Sequence, residues 1–355
     1  MINKQKEVYT MDKQKEVYMM NKQVTKQTAS KGFAALAVII LAIFFMAIPP
    51  ANAKKGMKVQ KPEIIKAIII GDRVLDIAYN LGVLPEAMSV RCSIWPMCKK
   101  LKTASQILGC PMCTTVKRKN TVPNALKKFG IKRVILEKSK LFCIYKPEVN
   151  PINIASILEG MDVKIEYVDF SQGLESAIRQ TAMLIDREGR ADELIKKYKK
   201  NLDKAKAALP KEKLGKKVLI LSSTYQNSSG KLMLRVEAPG GYADRFLLNP
   251  LGCVNVGDSF KPAEGKPQKG HYPVKKKKDG FVLDPIIKAN PDVIVMTGNA
   301  FAAQKALAAY MKNNPALANV EALKNQAIYS LPFYIDSGVI EYPDILRQWA
   351  VALSD

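Results

Sequence analysis

The sequence predicts an α/β protein built as two Rossmann-like lobes joined by a long α-helix. Three observations predict it. Strand-like and helix-like apolar patterns alternate from Ala67 to Val168; a stretch of purely helical spacing then runs from Leu174 to Leu209; the alternation resumes at Val218. Ala67–Gly71 (AIIIG) reads as a short buried strand, and Arg73–Leu81 carries a helical apolar spacing. Asn124–Phe129 is helix-like and leads to a strand at Val134–Leu136. Ile152–Leu158 is helix-like and leads to a strand at Val163–Val168.

Leu174, Ala177, Ile178, Ala182 and Ile185 then share one helical face, and beyond Gly189 so do Leu194, Ile195, Tyr198, Leu202, Ala205 and Leu209, with Pro210 as the stop. Val218–Leu221 (VLIL) opens the second half. A helix near Ala243–Leu248, strands at Val293–Met296 and Ala327–Leu331, and a closing helix at Tyr342–Leu353 follow. The expected division is an N-terminal α/β lobe over residues 54–173, a linking helical segment over 174–210 and a C-terminal α/β lobe over 211–355. Such halves favour parallel sheets covered on both faces, with a ligand site between the lobes on loops after strand ends.

Residues 1–53 read as an export signal. Phe33 to Ile48 is an unbroken apolar run preceded by seven lysines and three acids, and Ala51 and Ala53 supply an Ala-x-Ala pattern for a signal peptidase. Sixteen residues would span about 24 Å as a helix, short of the roughly 30 Å hydrocarbon core. An uncleaved N-terminal membrane anchor is the alternative. The leader is long, and KQKEVY occurs twice, at Lys4–Tyr9 and Lys13–Tyr18; a start at Met19 or Met20 would leave an ordinary signal peptide. Both readings place residues 54–355 in the periplasm.

The chain carries a net charge of +24, and residues 54–355 keep 49 basic against 29 acidic residues. Export and the spread of lysines along helices, without interleaved aromatics, argue against nucleic acid. A solvated lysine-rich surface, or a cleft whose field attracts an anion, fits better. The densest cluster, Lys275–Lys278, falls in a Gly/Pro/Lys-rich stretch from Lys261 to Gly280 that reads as a mobile surface loop.

Three stretches carry a resemblance to a known family. Asp284–Val295 (DPIIKANPDVIV) resembles an acidic residue, a helix and then an Asn-Pro-Asp-Val-Ile lead into a strand; Val320–Tyr329 (VEALKNQAIY) and Ser176–Leu209, with Gly189 and Ala191 before the long helix, match in order and spacing. The chain resembles the solute-binding proteins of ABC importers for ferric siderophores, haem and cobalamin, over essentially residues 60–355. The resemblance implies two lobes on one long rigid helix, no covalent chemistry, no intrinsic cofactor and a bound metal chelate as the transported ligand. It also implies a monomer that partners the ABC permease transmembrane subunits. Family members dock through a carboxylate on each lobe. The matching C-lobe position is Asp284, also an ordinary helix N-terminal acid; the N-lobe position is Asn124, which has no charge.

The expected ligand contacts are Arg91 and Trp95, in the loop after the second N-lobe strand where the resemblance implies ligand contacts, and Arg235, Tyr242 and Tyr334 on the other lobe. Arginine and aromatics suit a large, flat or anionic ligand; Trp95 and Tyr242 are equally explained as lobe packing. Gly240-Gly241 would offer backbone N–H groups to an anion. His271, the single histidine, is an axial-ligand candidate, although a lone histidine in a lysine-rich loop is more often solvent-exposed. A site for free zinc or manganese needs more histidines and carboxylates than this.

The six cysteines include Cys92, Cys98, Cys110 and Cys113 in a C-x5-C-x11-C-x2-C spacing, with Cys143 and Cys253 elsewhere. In an oxidising compartment disulfides are the first expectation, with pairing open among fifteen possibilities. The four clustered cysteines as thiolate metal ligands are the second, and redox exchange at Cys110-Pro111-Met112-Cys113 the third. The redox reading is the rival function: an exported thiol–disulfide oxidoreductase or metal-handling protein using Cys110 and Cys113. Ile107-Leu108-Gly109 before that motif shows no clear strand–turn–helix.

Overall fold

A computed structural model describes residues 61–92, 95, 97–226, 229–264, 270–278, 280–333 and 339–354. The leader, its apolar run and Tyr334 lie outside these residues. Among the described residues no helix is long and apolar enough to cross a membrane.

The N-terminal lobe is a five-stranded parallel sheet in the order β3-β2-β1-β4-β5, formed by β1 (Glu63–Ile70), β2 (Val83–Ser89), β3 (Gln106–Gly109), β4 (Arg133–Lys138) and β5 (Lys164–Asp169). Helices α1 (Asp72–Asn80), α2 (Met97–Leu101) and α3 (Thr121–Phe129) connect them. Both faces are covered. In β1, Ile69 packs with α1 on one side, while Ile68 and Ile70 pack with Val122, Ala125 and Leu126 of α3 on the other. That is why AIIIG is apolar throughout rather than alternating.

The linking segment is two helices, α4 (Gly173–Leu184) and α5 (Glu188–Ala207), broken where Asp186 adopts φ 56°. Helix α4 buries Ala177, Ile178 and Ala182 in the N-lobe core, so it belongs to that lobe's packing. Helix α5 spans both cores, with Ala191, Leu194 and Ile195 in the first and Ala205 in the second. Its 20 residues extend about 30 Å.

The C-terminal lobe differs from the expected parallel sheet. Its order is β13-β12-β6-β7-β9, with β6 (Lys217–Gln226), β12 (Val293–Gly298) and β13 (Ile328–Ser330) parallel, and β7 (Lys231–Glu237) and β9 (His271–Pro273) antiparallel. A short hairpin connection joins β6 to β7, which permits only antiparallel pairing. The two-residue strand β8 (Val254–Asn255) also pairs with β6. Helices α6 (Asp284–Ala289), α7 (Ala300–Asn313), α8 (Glu321–Lys324) and α9 (Tyr342–Ser354) complete the lobe.

Four local expectations are corrected. Residues Pro151–Ile157 form a 3₁₀ helix, with Pro151 at its start and the Asn150 side chain accepting from Ile152 N. The helix near Ala243 is present, and its central part, Asp244–Leu248, is π-helical rather than α-helical. The stretch read as a mobile loop contains β9 and a small hairpin of β10 (Lys276–Lys277) with β11 (Gly280–Phe281). A strand, β3, does precede the Cys-x-x-Cys motif, and a helical turn follows it from Pro111.

Candidate functional site

The N-lobe brings two acid–arginine pairs to the carboxyl ends of β1, β2 and β4. Gly71, at φ +132°, makes the β1–α1 turn, and a side chain there would collide with Glu137. That tight turn sets Asp72 and Arg73 side by side at the start of α1. Asp72 is fully buried; it accepts from Arg91 N at 2.7 Å and pairs with the Arg91 guanidinium through Nε. Arg73 donates Nε to Glu137 Oε1 at 2.7 Å, and Glu137 is itself fully buried at the end of β4.

Arg91 is 8 % exposed and lies 4.1 Å over the Phe142 ring. Burial alone would lower its proton affinity, but the Asp72 charge and hydrogen bond outweigh burial and raise it, so the guanidinium stays charged. Its terminal nitrogens, Nη1 and Nη2, are buried without a hydrogen-bond partner among the described residues. A desolvated donor left unmade is costly, and an incoming anionic oxygen would supply what those nitrogens lack.

The loop after β4 crosses to the C-lobe. Tyr145 donates its hydroxyl to Glu237 Oε1 at 3.0 Å and accepts from Tyr242 N at 3.0 Å. Tyr242, 1 % exposed, accepts from Ile144 N at 3.0 Å, and its ring meets Tyr145 edge-on at 5.1 Å. A Cβ on Gly241 or Gly270 would collide with Tyr145, so both glycines make room for that ring. Glu237 also faces His271, with Oε2 2.7 Å from Nε2. A second crossing lies behind: Asp76 of α1 accepts from Ile340 N at 2.8 Å and Trp95 Nε1 at 3.1 Å.

Of the expected ligand residues, Arg91 and Tyr242 thus meet at one seam between the lobes. Trp95 is 1 % exposed, bonded to Asp76 and packed edge-on to Tyr79, so lobe packing accounts for it. Arg235 is exposed on β7, opposite Ser222 and two residues from Glu237 on the same face of the strand, which is the face Tyr145 reaches. It has no side-chain partner among the described residues. The glycine pair is not wholly open to an anion: Gly240 N is taken by the Asp244 carboxylate, and the amide after the pair, Tyr242 N, by Tyr145. His271 is not solvated in a loop but paired with Glu237 on β9. Asp284 is exposed at the first turn of α6 and bonded by Tyr310, and Asn124 is exposed on α3.

The cysteines form one disulfide, Cys92–Cys98, while Cys110, Cys113, Cys143 and Cys253 are free. The structure thus holds one disulfide rather than three, and Cys92 and Cys98, bonded to each other, are not free thiolates in it. Among the described residues no group of three or more His, Cys, Asp or Glu is arranged to hold a metal ion.

Sequence reasoning missed Asp72, Arg73, Glu137, Phe142, Tyr145 and Glu237. A signal existed for the first three: charged residues stand directly after the buried strand Ala67–Gly71 and at the end of Val134–Leu136, where α/β sheets place their sites. Nothing in the local pattern marks Tyr145, whose partners lie more than 90 residues away.

Two lobes, each with a central sheet, spanned by one helix and meeting at a seam of charge and aromatics define a ligand-binding protein of the periplasmic type. The family model for periplasmic binding proteins matches residues 157–335, and the chain belongs to that family. No curated protein matches the sequence. Among solved structures, the fold is similar to the periplasmic heme-binding protein RhuT of Roseiflexus sp. RS-1 in apo form, at 14 % identity and TM-score 0.52, covering 81 % of this chain and 97 % of that one. It is also similar to the periplasmic heme-binding protein BhuT in complex with two hemes, at 17 % identity and TM-score 0.51, covering 82 % and 100 %.

Proposed function

We propose that the chain is the extracytoplasmic substrate-binding protein of an ABC importer. It holds an anionic iron chelate or a related metal macrocycle, such as haem or cobalamin, between its lobes and delivers it to the permease. Arg91 carries this reading: a permanently charged guanidinium, buried at the seam, stacked on Phe142 and left with two unmatched terminal nitrogens. That geometry suits a carboxylate or other oxyanion borne on a flat ligand. Arg235 on the facing lobe supplies a second, solvent-accessible cation. The structures named above bind haem, which is consistent with a planar carboxylate-bearing ligand.

The protein itself performs binding rather than covalent chemistry, works as a monomer, and is exported by residues 1–53. Docking on the permease uses the exposed Asp284 of α6, with Asn124 leaving the N-lobe contact uncharged. Native mass spectrometry of residues 54–355, purified from the periplasm without reductant, tests the reading. A co-purifying metal complex that raises the melting temperature on re-addition supports it. A bare protein whose melting temperature is unmoved by haem, cobalamin and ferric siderophores overturns it.

A further inference from the structure

Cys110 and Cys113 take no part in the seam. They sit past the end of β3, the edge strand of the N-lobe sheet. Cys110 O accepts from Cys113 N at 2.7 Å and Thr114 N at 3.1 Å, and the Thr114 and Thr115 hydroxyls both donate to Pro111 O, at 3.2 and 2.8 Å. The Thr114 hydroxyl also lies 3.0 Å from that of Ser89 on the neighbouring strand. This turn holds the Cys110 thiol 3.4 Å from the Cys113 sulfur, as donor to it, with both residues partly exposed. Closing a bond needs an approach of about 1.4 Å, which a side-chain rotation supplies.

A cation is built against the pair. Arg118 N donates to Cys113 O at 2.7 Å, and the Arg118 side chain folds back to hydrogen-bond Cys113. Gly109, at φ +115°, permits this: a Cβ there would stand 3.0 Å from Arg118 Nη2 and 3.2 Å from Cys113 Cβ. Burial alone would raise the Cys113 thiol, but the bonds from Cys110 and Arg118 outweigh it and hold Cys113 below the ordinary cysteine value. Cys110 is pushed the other way, by burial first and by its bond to Cys113 second. One sulfur is thus the better thiolate and its neighbour the reserve thiol. A resident metal would need further ligands, and no such cluster occurs among the described residues.

We propose that Cys110 and Cys113 are a reversible dithiol–disulfide site that exchanges with low-molecular-weight disulfides, Cys113 attacking and Cys110 resolving. The Cys113 thiolate attacks one sulfur of the external disulfide, forming a mixed disulfide and releasing one thiolate, which takes a proton from water. The Cys110 thiol then loses its proton and attacks the Cys113 sulfur, closing Cys110–Cys113 and expelling the second thiolate. Two protein thiols are oxidised and one external disulfide is reduced to two thiols. Arg118 is a positioning residue that stabilises the attacking sulfur.

The test is equilibration of the full chain with graded ratios of reduced to oxidised glutathione, followed by acid quench, alkylation and peptide mass mapping. Cys110 and Cys113 should leave the thiol pool together, with the protein losing two hydrogens and returning on reduction. Cys110→Ser should stop as a glutathione mixed disulfide on Cys113, and Cys113→Ser should form none on Cys110. Arg118→Gln should slow iodoacetamide labelling of Cys113 at neutral pH by about tenfold, the effect of one pKa unit, while Cys143 labels unchanged as a control for folding. The proposal is overturned if Cys113 reacts no faster than Cys143, if Cys110→Ser traps no mixed disulfide, or if both thiols are shielded until a chelator is added. The ligand measured at the seam bears on none of these outcomes.

Discussion

On the N-lobe side of the seam, Asp72, Arg91, Arg73 and Glu137 are paired within the lobe and largely out of water, while on the C-lobe side Arg235 stands exposed on the β6–β7 hairpin with Ser222, Thr224 and Met233 on its face. The difference separates two uses of an arginine. Arg91 is held by the Asp72 carboxylate through both its own backbone amide and its guanidinium before any ligand arrives, so its charge is preorganised and its loss is a folding problem. Arg235 has no side-chain partner among the described residues, so its loss should be felt only when a ligand is present.

The largest effect should come from breaking the N-lobe pair. Asp72→Asn leaves Arg91 buried without a counterion, and removing one partner of a buried pair destabilises by about 3–5 kcal/mol. Urea unfolding followed by circular dichroism measures it. A loss below about 1 kcal/mol would show that Arg91 reaches water and that the preorganised half of the comparison is wrong.

Second comes the Asp76 crossing. Burial pushes its carboxyl up to about 7; the hydrogen bonds from Ile340 and Trp95 pull down, and Glu341 and Asp72 push further up. An acid raised in the folded state favours unfolding once the unfolded chain ionises. Stability contributed by Asp76 is therefore lost as pH rises from about 4 to about 7 and is flat beyond. Asp76→Asn should remove that slope, so that the wild type loses up to about 4 kcal/mol relative to the variant between pH 4 and pH 8. Parallel pH profiles for the two proteins would mean that Asp76 titrates normally.

These two acids also show what the sequence made legible. The alternation of patterns and the spanning helix follow from local spacing, since each depends on residues a few positions apart, whereas Arg91 was placed through the family resemblance. Asp76 lies on the helical stretch beginning at Arg73 and Asp72 just before it, and local spacing marks neither as buried. Their burial is decided by partners at Arg91, Trp95 and Ile340, the last 264 residues away. The antiparallel β7 and β9 were hidden for a related reason: LMLRVE alternates weakly, and its pairing depends on a hairpin that composition does not mark. Arg235 was legible as a site candidate, and its exposure on β7 leaves it available.

Tyr145 tests whether the lobes share a rigid seam. Tyr145→Phe removes the hydroxyl between Glu237 and Tyr242 N, leaving a carboxylate oxygen and an amide without it. The expected cost is about 1–3 kcal/mol, read as a lower urea midpoint. No change would mean that water replaces the hydroxyl and that the crossing is wet.

The smallest effect on folding should come from Arg235→Ala, within about 0.5 kcal/mol, because an exposed side chain without partners among the described residues leaves none of them unpaired behind. Its effect belongs to binding. If Arg235 meets an anionic group, its removal should weaken a carboxylate-bearing chelate by about tenfold or more, the worth of a charge-assisted hydrogen bond, and leave an uncharged analogue nearly untouched. Isothermal titration of both ligands against wild type and variant separates these. Equal losses for both would sink the assigned role and recast the hairpin face as shape rather than charge. With Asp72→Asn, the pattern should reverse, folding suffering first; the two arginines would then differ by when their charge is paired, not by how strongly.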